Sequence, residues 1–233
     1  MEFCKYKKDL NFSYTMGAFP TIELLESKKY KTTAVLVHSK YDDKEKLEKI
    51  CNKKGINLIY NDKIVNKLQS KENTFVIGVF EKNFVKIEKD NHILLCEPRD
   101  KGNLGTILRT ALGFGFKNIA IIDGCDVFDP KTIRASMGAI FKMNIEIFKT
   151  FEEYKNSFEE NNIYSFILNK DSVSLKNVEI KKPFTLMFGN ESHGLENFDL
   201  NGTTPVFIEQ SDDIDSFNLP IASSIAMYKF TEK

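Results

Sequence analysis

Short apolar runs rich in β-branched residues alternate with stretches of helical spacing along most of this chain. Pro20 opens TIELLES, where Ile22, Leu24 and Leu25 recur at helical spacing, and TTAVLVHS (32–39) follows as a buried strand. KEKLEKICNKKG (44–55) reads as an amphipathic helix with Leu47, Ile50 and Cys51 inward and Gly55 as its stop signal. INLIYN is a second strand, KIVNKLQS (63–70) a short helix and TFVIGVFE (74–81) a third strand. The polar stretch EKNFVKIEKDN (81–91) carries neither pattern. It separates a small α/β unit, residues 1–90, from a second unit, residues 91–233.

The second unit alternates more regularly. HILLCE (92–97), NIAIID (118–123), MNIEIF (143–148), YSFILN (164–169), FTLMFG (184–189) and TPVFIE (204–209) read as strands. Helical patterns lie at 103–114, 130–140, 151–161 and 218–230, and Asp129 before Pro130 supplies an N-cap and a first-turn proline. Such alternation predicts an α/β fold with a mostly parallel sheet covered on both faces. Ligands of these sheets sit beyond the carboxyl ends of the strands, so the segments after each strand are the places to look.

Composition narrows the classes. With 42% hydrophobic and 12% aromatic residues, the 233-residue chain has apolar side chain enough for a packed core. No apolar stretch approaches the roughly 18 to 20 residues of a membrane span. MEFCKYKKDLNF has no apolar region behind its basic residues and does not read as a secretory signal. Cys4, Cys51, Cys96 and Cys125 form no C-x-x-C pair, which points away from a disulfide scaffold or zinc ribbon and toward a reducing cytoplasm. Net charge is zero, yet residues 1–90 carry 18 Lys against 13 Asp and Glu, and residues 91–233 carry 15 Lys and Arg against 20 acids. A basic first half suits a phosphate-bearing partner, and it equally suits a solvated lysine-rich surface.

Three segments carry candidate chemistry. In EPRDKGNLGTILRTALGFGFKN, Gly102 and Gly105 flank Asn103 at a turn entering a helix, where backbone N–H groups can meet an anion. Arg109 lies six residues on, roughly 120° around that helix; the two are not on one face, yet both could border a cleft at its edge. Alone, it reads as well as a surface arginine. GFGFKN fails as a dinucleotide fingerprint, because Asn118 takes the third glycine position and the order is helix before strand. In GNESHGL (189–195), Ser192 and His193 suggest a hydrolase, but no G-x-S-x-G elbow supports it, and His193 reads as well as a turn residue. His38, His92 and His193 are too scattered for a metal site. In EQSDDIDSFNLPIASSIAMYKF, Ser216 and Asn218 cap a terminal helix with Pro220 in its first turn, and Ala222, Ser223, Ser224 and Ala226 allow close approach.

Together and in order, these segments resemble the SpoU (TrmH) branch of the SPOUT-class RNA methyltransferases. The first motif is Asn103-Leu-Gly-Thr-Ile-Leu-Arg109-Thr-Ala, the second Phe188-Gly-Asn-Glu-Ser-His-Gly-Leu195, the third Ser216-Phe-Asn-Leu-Pro-Ile-Ala222. Ile133-Arg-Ala-Ser-Met-Gly-Ala-Ile-Phe141 is similar to a further family segment, and Met16-Gly-Ala-Phe-Pro-Thr-Ile-Glu-Leu-Leu25 to the start of a small substrate-binding domain. The chain departs from the pattern at Ser192, Phe217, Leu219 and Pro220, at the rim of the implied cofactor pocket.

The resemblance implies a C-terminal trefoil knot, an obligate homodimer, no metal, and S-adenosylmethionine as cofactor. It implies methyl transfer to a ribose 2′-hydroxyl of RNA, with Arg109, Asn103, Glu191, Ser216 and Asn218 as catalytic residues. Phe188, Gly189, Asn190, Ile208, Gln210, Phe217, Asn218 and Ala222 are the implied cofactor contacts. Arg109 is the family's base, although a guanidinium stays protonated near neutrality and normally only donates, so orienting the hydroxyl and phosphate stands beside that role. Glu191 would orient Arg109 or order the cofactor loop. The lysine-bearing front unit resembles those of ribosomal RNA enzymes more than the short extensions of minimal tRNA enzymes, which implies large-subunit ribosomal RNA as substrate. A tRNA 2′-O-methyltransferase, or a non-catalytic RNA-binding or ribosome-assembly protein, is the alternative.

Overall fold

The computed structural model describes residues 3–69 and 73–231; Met1, Glu2 and Ser70, touched by the readings above, lie outside the described residues. In chain order the elements are β1 (Phe12–Tyr14), α1 (Ala18–Glu26), β2 (Thr32–Val37), α2 (Lys44–Lys54), β3 (Leu58–Tyr60), α3 (Asp62–Leu68) and β4 (Val76–Glu81). After an irregular stretch come β5 (His92–Cys96), α4 (Lys101–Gly113), β6 (Asn118–Ile122), α5 (Pro130–Ala135), β7 (Asn144–Phe148) and α6 (Phe151–Ser157). β8 (Asn162–Phe166), β9 (Val173–Ser174), β10 (Phe184–Phe188), β11 (Thr204–Phe207) and α7 (Leu219–Thr231) follow. The expected strands and helices are present with ends shifted by a few residues, except the helix over 130–140, which is interrupted. The short β1 and β9 have too few residues to show a period.

Two compact units emerge, one of residues 1–83 with 126–142, the other of 84–125 with 143–233. This differs from a single boundary at 90/91. The first unit ends at Asn83, and it takes in a segment from the middle of the expected second domain.

The first unit is built on a four-stranded sheet ordered β1-β4-β2-β3, with β4 antiparallel to β1 and β2, and β2 parallel to β3. Alternate residues of β2 face opposite ways. Val35 and Val37 meet Leu25, Leu47 and Cys51, whereas Ala34 and Leu36 meet Tyr14, Val65 and Ile77. Residues 126–142 join this unit through an aromatic cluster. Phe141 lies 5.4 Å from Tyr30 and 5.2 Å from Phe80, edge to face, and Phe128 lies 6.2 Å from each. Tyr6 donates to the Asp126 carboxylate, Ser13 to the Phe128 carbonyl and Ser27 to the Phe141 carbonyl. The helix expected over 130–140 breaks here: α5 ends at Ala135, Met137 and Gly138 take φ of +51° and +80°, and a 3-10 turn runs from Ala139 to Lys142. Glycine is required at 138, because a Cβ there would sit 2.8 Å from Glu23 Cβ.

The second unit holds a seven-stranded sheet ordered β7-β6-β5-β10-β8-β11-β9, every pairing parallel. β5, β6 and β10 are buried along their whole length, which explains their continuous apolar reading. α6 covers one face, where Tyr154 packs on Phe148. Its hydroxyl joins His92 Nδ1 and Thr185 Oγ1, both at 2.7 Å. His92 Nε2 lies 2.7 Å from the Glu88 carbonyl, and burial lowers the pKa of this ring, so it serves the core. α7 covers the other face, with Phe230 4.8 Å from Tyr164 and 5.0 Å from Phe184.

Phe141 is 1% exposed, inside a cluster assembled from segments far apart in the chain. Phe141→Ala is therefore expected to cost about 3–5 kcal/mol, the usual range for emptying a buried aromatic site. A urea titration followed by circular dichroism measures it.

Candidate active site

The sheet order places β10 beside β5, where the direction of strand addition reverses, and parallel pairing sends the segments after β5, β8, β10 and β11 to one edge. The segment after β10 is a closed loop. Asn190 N–H donates to the Gly194 carbonyl at 2.9 Å, and Gly194 N–H returns the bond to Asn190 at 3.0 Å. The strands of this loop approach so closely that a Cβ on Gly189 would lie 2.1 Å from the Gly194 oxygen. Asn190 Nδ2 ties the loop to the Glu97 carbonyl after β5, at 2.8 Å.

Glu191 gathers the entry of α4. Its carboxylate accepts from Arg99 N–H (3.1 Å), Asp100 N–H (3.2 Å) and Asn103 Nδ2 (3.1 Å). Partial burial pushes its pKa up, but these donors outweigh burial and hold it below the usual carboxylate range. α4 begins two residues before the expected start, because Asp100 caps it by accepting Asn103 N–H at 2.8 Å. Arg99 bridges Asp123, at 3.0 Å, and Glu97, at 3.8 Å. His193 lies 3.3 Å from Glu97 and is paired with that carboxylate rather than with Ser192. Before α7, the Asn218 carbonyl accepts Ile221 N–H at 2.8 Å and Ala222 N–H at 3.0 Å. Gln210 Nε2 holds the preceding loop through the Ile214 and Asp215 carbonyls.

These segments enclose a cavity of about 690 Å³, within the roughly 300–1,000 Å³ of small-molecule sites. Asn103 borders it from α4, Phe188, Gly189, Asn190 and Glu191 from β10 and its loop, and Ile208, Gln210, Ser216, Phe217, Asn218 and Ala222 from the segment into α7. Every predicted site residue except Arg109 therefore borders one space. Arg109 lies outside it, on the exposed face of α4, and makes no hydrogen bond or ion pair among the described residues. The 120° between Asn103 and Arg109 decides this: the turn that aims one at the cavity aims the other away. Glu191 correspondingly engages the α4 entry and not Arg109.

The sequence reading missed one wall, Ile167 to Asn169, because YSFILN reads as strand throughout. β8 stops at Phe166, whose ring stacks on Phe188 at 4.7 Å, and the next three residues turn along the cavity. The position of that segment at a carboxyl strand end was the available signal. Among the described residues no cluster of three His, Cys, Asp or Glu suits a metal ion, and no helix is long and apolar enough to cross a membrane.

Proteins of known structure share this fold. An AdoMet-bound rRNA methyltransferase from Sinorhizobium meliloti superposes with a TM-score of 0.81 at 25% identity, covering 94% of this chain and 87% of that one. The SpoU methyltransferase AviRb from Streptomyces viridochromogenes gives 0.83 at 19% identity, over 95% and 89%. The fold class is that of SPOUT methyltransferases. The SpoU rRNA Methylase family model matches residues 90–228, and the chain belongs to that family. Curated relatives include an uncharacterized tRNA/rRNA methyltransferase of Synechocystis, 29% identical over 140 residues, and the 23S rRNA (guanosine(2553)-2′-O)-methyltransferase of Bacillus subtilis, 28% identical over 144. These matches cover 59% and 58% of this chain, and the chain spans about half the length of those relatives, 51% and 56%.

The cofactor of this family is S-adenosylmethionine, and the cavity fits it. Phe188, Ile208 and Ala222 offer apolar walls for a nucleoside, and the Glu191 and Glu196 carboxylates suit a cationic group. Gly189→Ala is expected to force the 189–195 loop open and lower S-adenosylmethionine affinity about tenfold or more, ~1.4 kcal/mol. Isothermal calorimetry measures the affinity, and circular dichroism should report an unchanged fold.

Proposed function

We propose that this chain methylates a ribose 2′-hydroxyl of RNA, with large-subunit ribosomal RNA as the substrate class. The observation that carries the reading is the convergence of three sequence-distant motifs on one cavity whose polar rim is Asn103, Glu191, Ser216 and Asn218. Bound S-adenosylmethionine supplies a methyl group on a sulfonium, open to in-line attack by an oxygen. Phe188, Gly189, Asn190, Ile208, Gln210, Phe217 and Ala222 hold the cofactor. Glu191, ionised and bonded to Asn103 and to the α4 entry, fixes that amide toward the acceptor. Ser216 and Asn218 position the ribose. Arg109 is assigned to the acceptor by its place in the first motif, since its planar fork of donors suits a ribose oxygen and the adjacent phosphate. Positioning of this kind supplies much of the rate in a reaction that needs three atoms in line.

Ribosomal RNA is favoured over tRNA by the family description and by a relative whose name states 23S rRNA as substrate, while the charge of the front unit suits the phosphate of any RNA. Over residues 1–83 and 126–142 there are 19 Lys and Arg against 13 Asp and Glu, so the excess of base is larger in this unit than the half-chain division suggested. Unpaired cysteines accord with a cytoplasmic setting. The reading also carries a trefoil knot and a homodimer. The return of α7 onto α4, after the 189–195 loop has bonded back to residues 97–100, supports the first. A stripe of Ile221, Ile225 and Tyr228 on the outer face of α7, 52%, 37% and 61% exposed, supports the second. The outer face of that helix is apolar at these three positions, and a second copy would cover it.

Mapping 2′-O-methyl positions in cellular RNA with and without the gene tests the assignment; loss confined to tRNA would reject the ribosomal substrate, and no loss would favour the non-catalytic alternative. Arg109→Ala is expected to cut single-turnover methyl transfer about 100-fold or more. Cofactor affinity and stability should stay near wild type, because Arg109 is exposed and outside the cavity. Arg109→Lys is expected not to restore the rate, since an ammonium lacks the fork.

A further inference from the structure

The first unit exposes a phenylalanine that its own packing does not explain. Phe19 is 54% exposed, on the first turn of α1, between the buried Pro20 and the half-buried Ala18. That turn is held firmly. Thr21 Oγ1 donates to the Gly17 carbonyl at 2.7 Å and lies 2.6 Å from Thr15 Oγ1. Beside it sits the break after α5. A Cβ on Gly138 would meet Glu23 Cβ at 2.8 Å and Pro20 Cα at 3.2 Å, so this loop is pressed onto the same turn of α1. Met137, just before that glycine, takes a left-handed φ of +51° and is 37% exposed. A non-glycine residue in that region stores strain, and such strain clusters at binding sites.

The surroundings are basic. α5 carries Lys131 and Arg134, with the Arg134 carbonyl accepting Met137 N–H at 3.0 Å. Of the acids on these segments, Glu23 is paired with Lys142, Asp129 caps α5 and Glu26 lies at the far end of α1. An aromatic ring and a polarizable thioether on rigid backbone, within a basic unit, match the chemistry that holds unpaired nucleobases: a flat face for stacking and cations for the backbone. A protein partner would more naturally seek a wider apolar patch than these two side chains.

We propose that Phe19 and Met137 form a stacking face for one unpaired base of the RNA substrate, so that the front unit reads a single-stranded feature as well as phosphate charge. This rests on the RNA-methyltransferase reading. It adds a specificity-determining contact in a segment outside the three motifs.

The 233 residues include no tryptophan, so Phe19→Trp places a single indole at the site. Two probes suffice: an RNA hairpin with an unpaired purine-rich loop, and a fully paired duplex of equal length. The indole emission is expected to be quenched by the hairpin and not by the duplex. Phe19→Ala should weaken hairpin binding about 5- to 150-fold, the range for losing one stacked base, and leave duplex binding and S-adenosylmethionine affinity unchanged. Hairpin binding without quenching, or equal binding by Phe19→Ala, would overturn the stacking face alone. An emission change that follows protein concentration without RNA would assign the patch to self-association and overturn it too. Absence of any RNA binding by the wild-type chain would instead overturn the reading beneath it.

Discussion

Because all six pairings of the seven-stranded sheet are parallel, every connection must carry the chain back to the starting end before the next strand can pair. All strands then leave by the same edge, and the segments after β5, β8, β10 and β11 have no choice but to meet there. Both faces need covering, which commits α6 and α7 to packing and leaves the carboxyl edge as the place where polar side chains can converge. β10 enters late in sequence but sits between β5 and β8, so its loop lies against residues 97–103. The cavity follows from that insertion. The Gly189–Gly194 approach closes the loop, and Glu191 binds it to the first turn of α4.

The division of the chain has a similar physical origin. Residues 126–142 carry Phe128 and Phe141, whose rings find buried partners in Tyr30 and Phe80 of the first unit. The strained pair Met137–Gly138 ends α5 early and turns the chain into the 3-10 segment that delivers Phe141. Membership in the first unit adds a net basic charge there and removes it from the second. The charge contrast between the two units, basic on the first and acidic on the second, is thus partly a product of this packing.

Much of the architecture was legible because its signals are local. Continuous apolar runs such as ILLC and IAII mark strands buried on both faces, and Asp129-Pro130 marks a helix start. Less legible were β1 and β9, too short to show a period, and the end of β8, where Ile167 and Leu168 continue the apolar run into a turn. Arg109 shows the limit for side chains. Its spacing from Asn103 was known, but only the orientation of α4 in the fold decided which of the two would face the cavity.

By itself, then, the amino-acid order determined the type of each long element, the parallel sheet and the three motif segments, since hydrophobic period, capping residues and motif spacing act over a few neighbours. Tertiary structure alone decided the strand order, the transfer of 126–142 to the first unit, the partners of Glu191 and the outward aim of Arg109. Those depend on contacts between residues some ninety to a hundred and twenty positions apart, such as Glu191 with Arg99 and Tyr6 with Asp126, whose pairing no local pattern encodes.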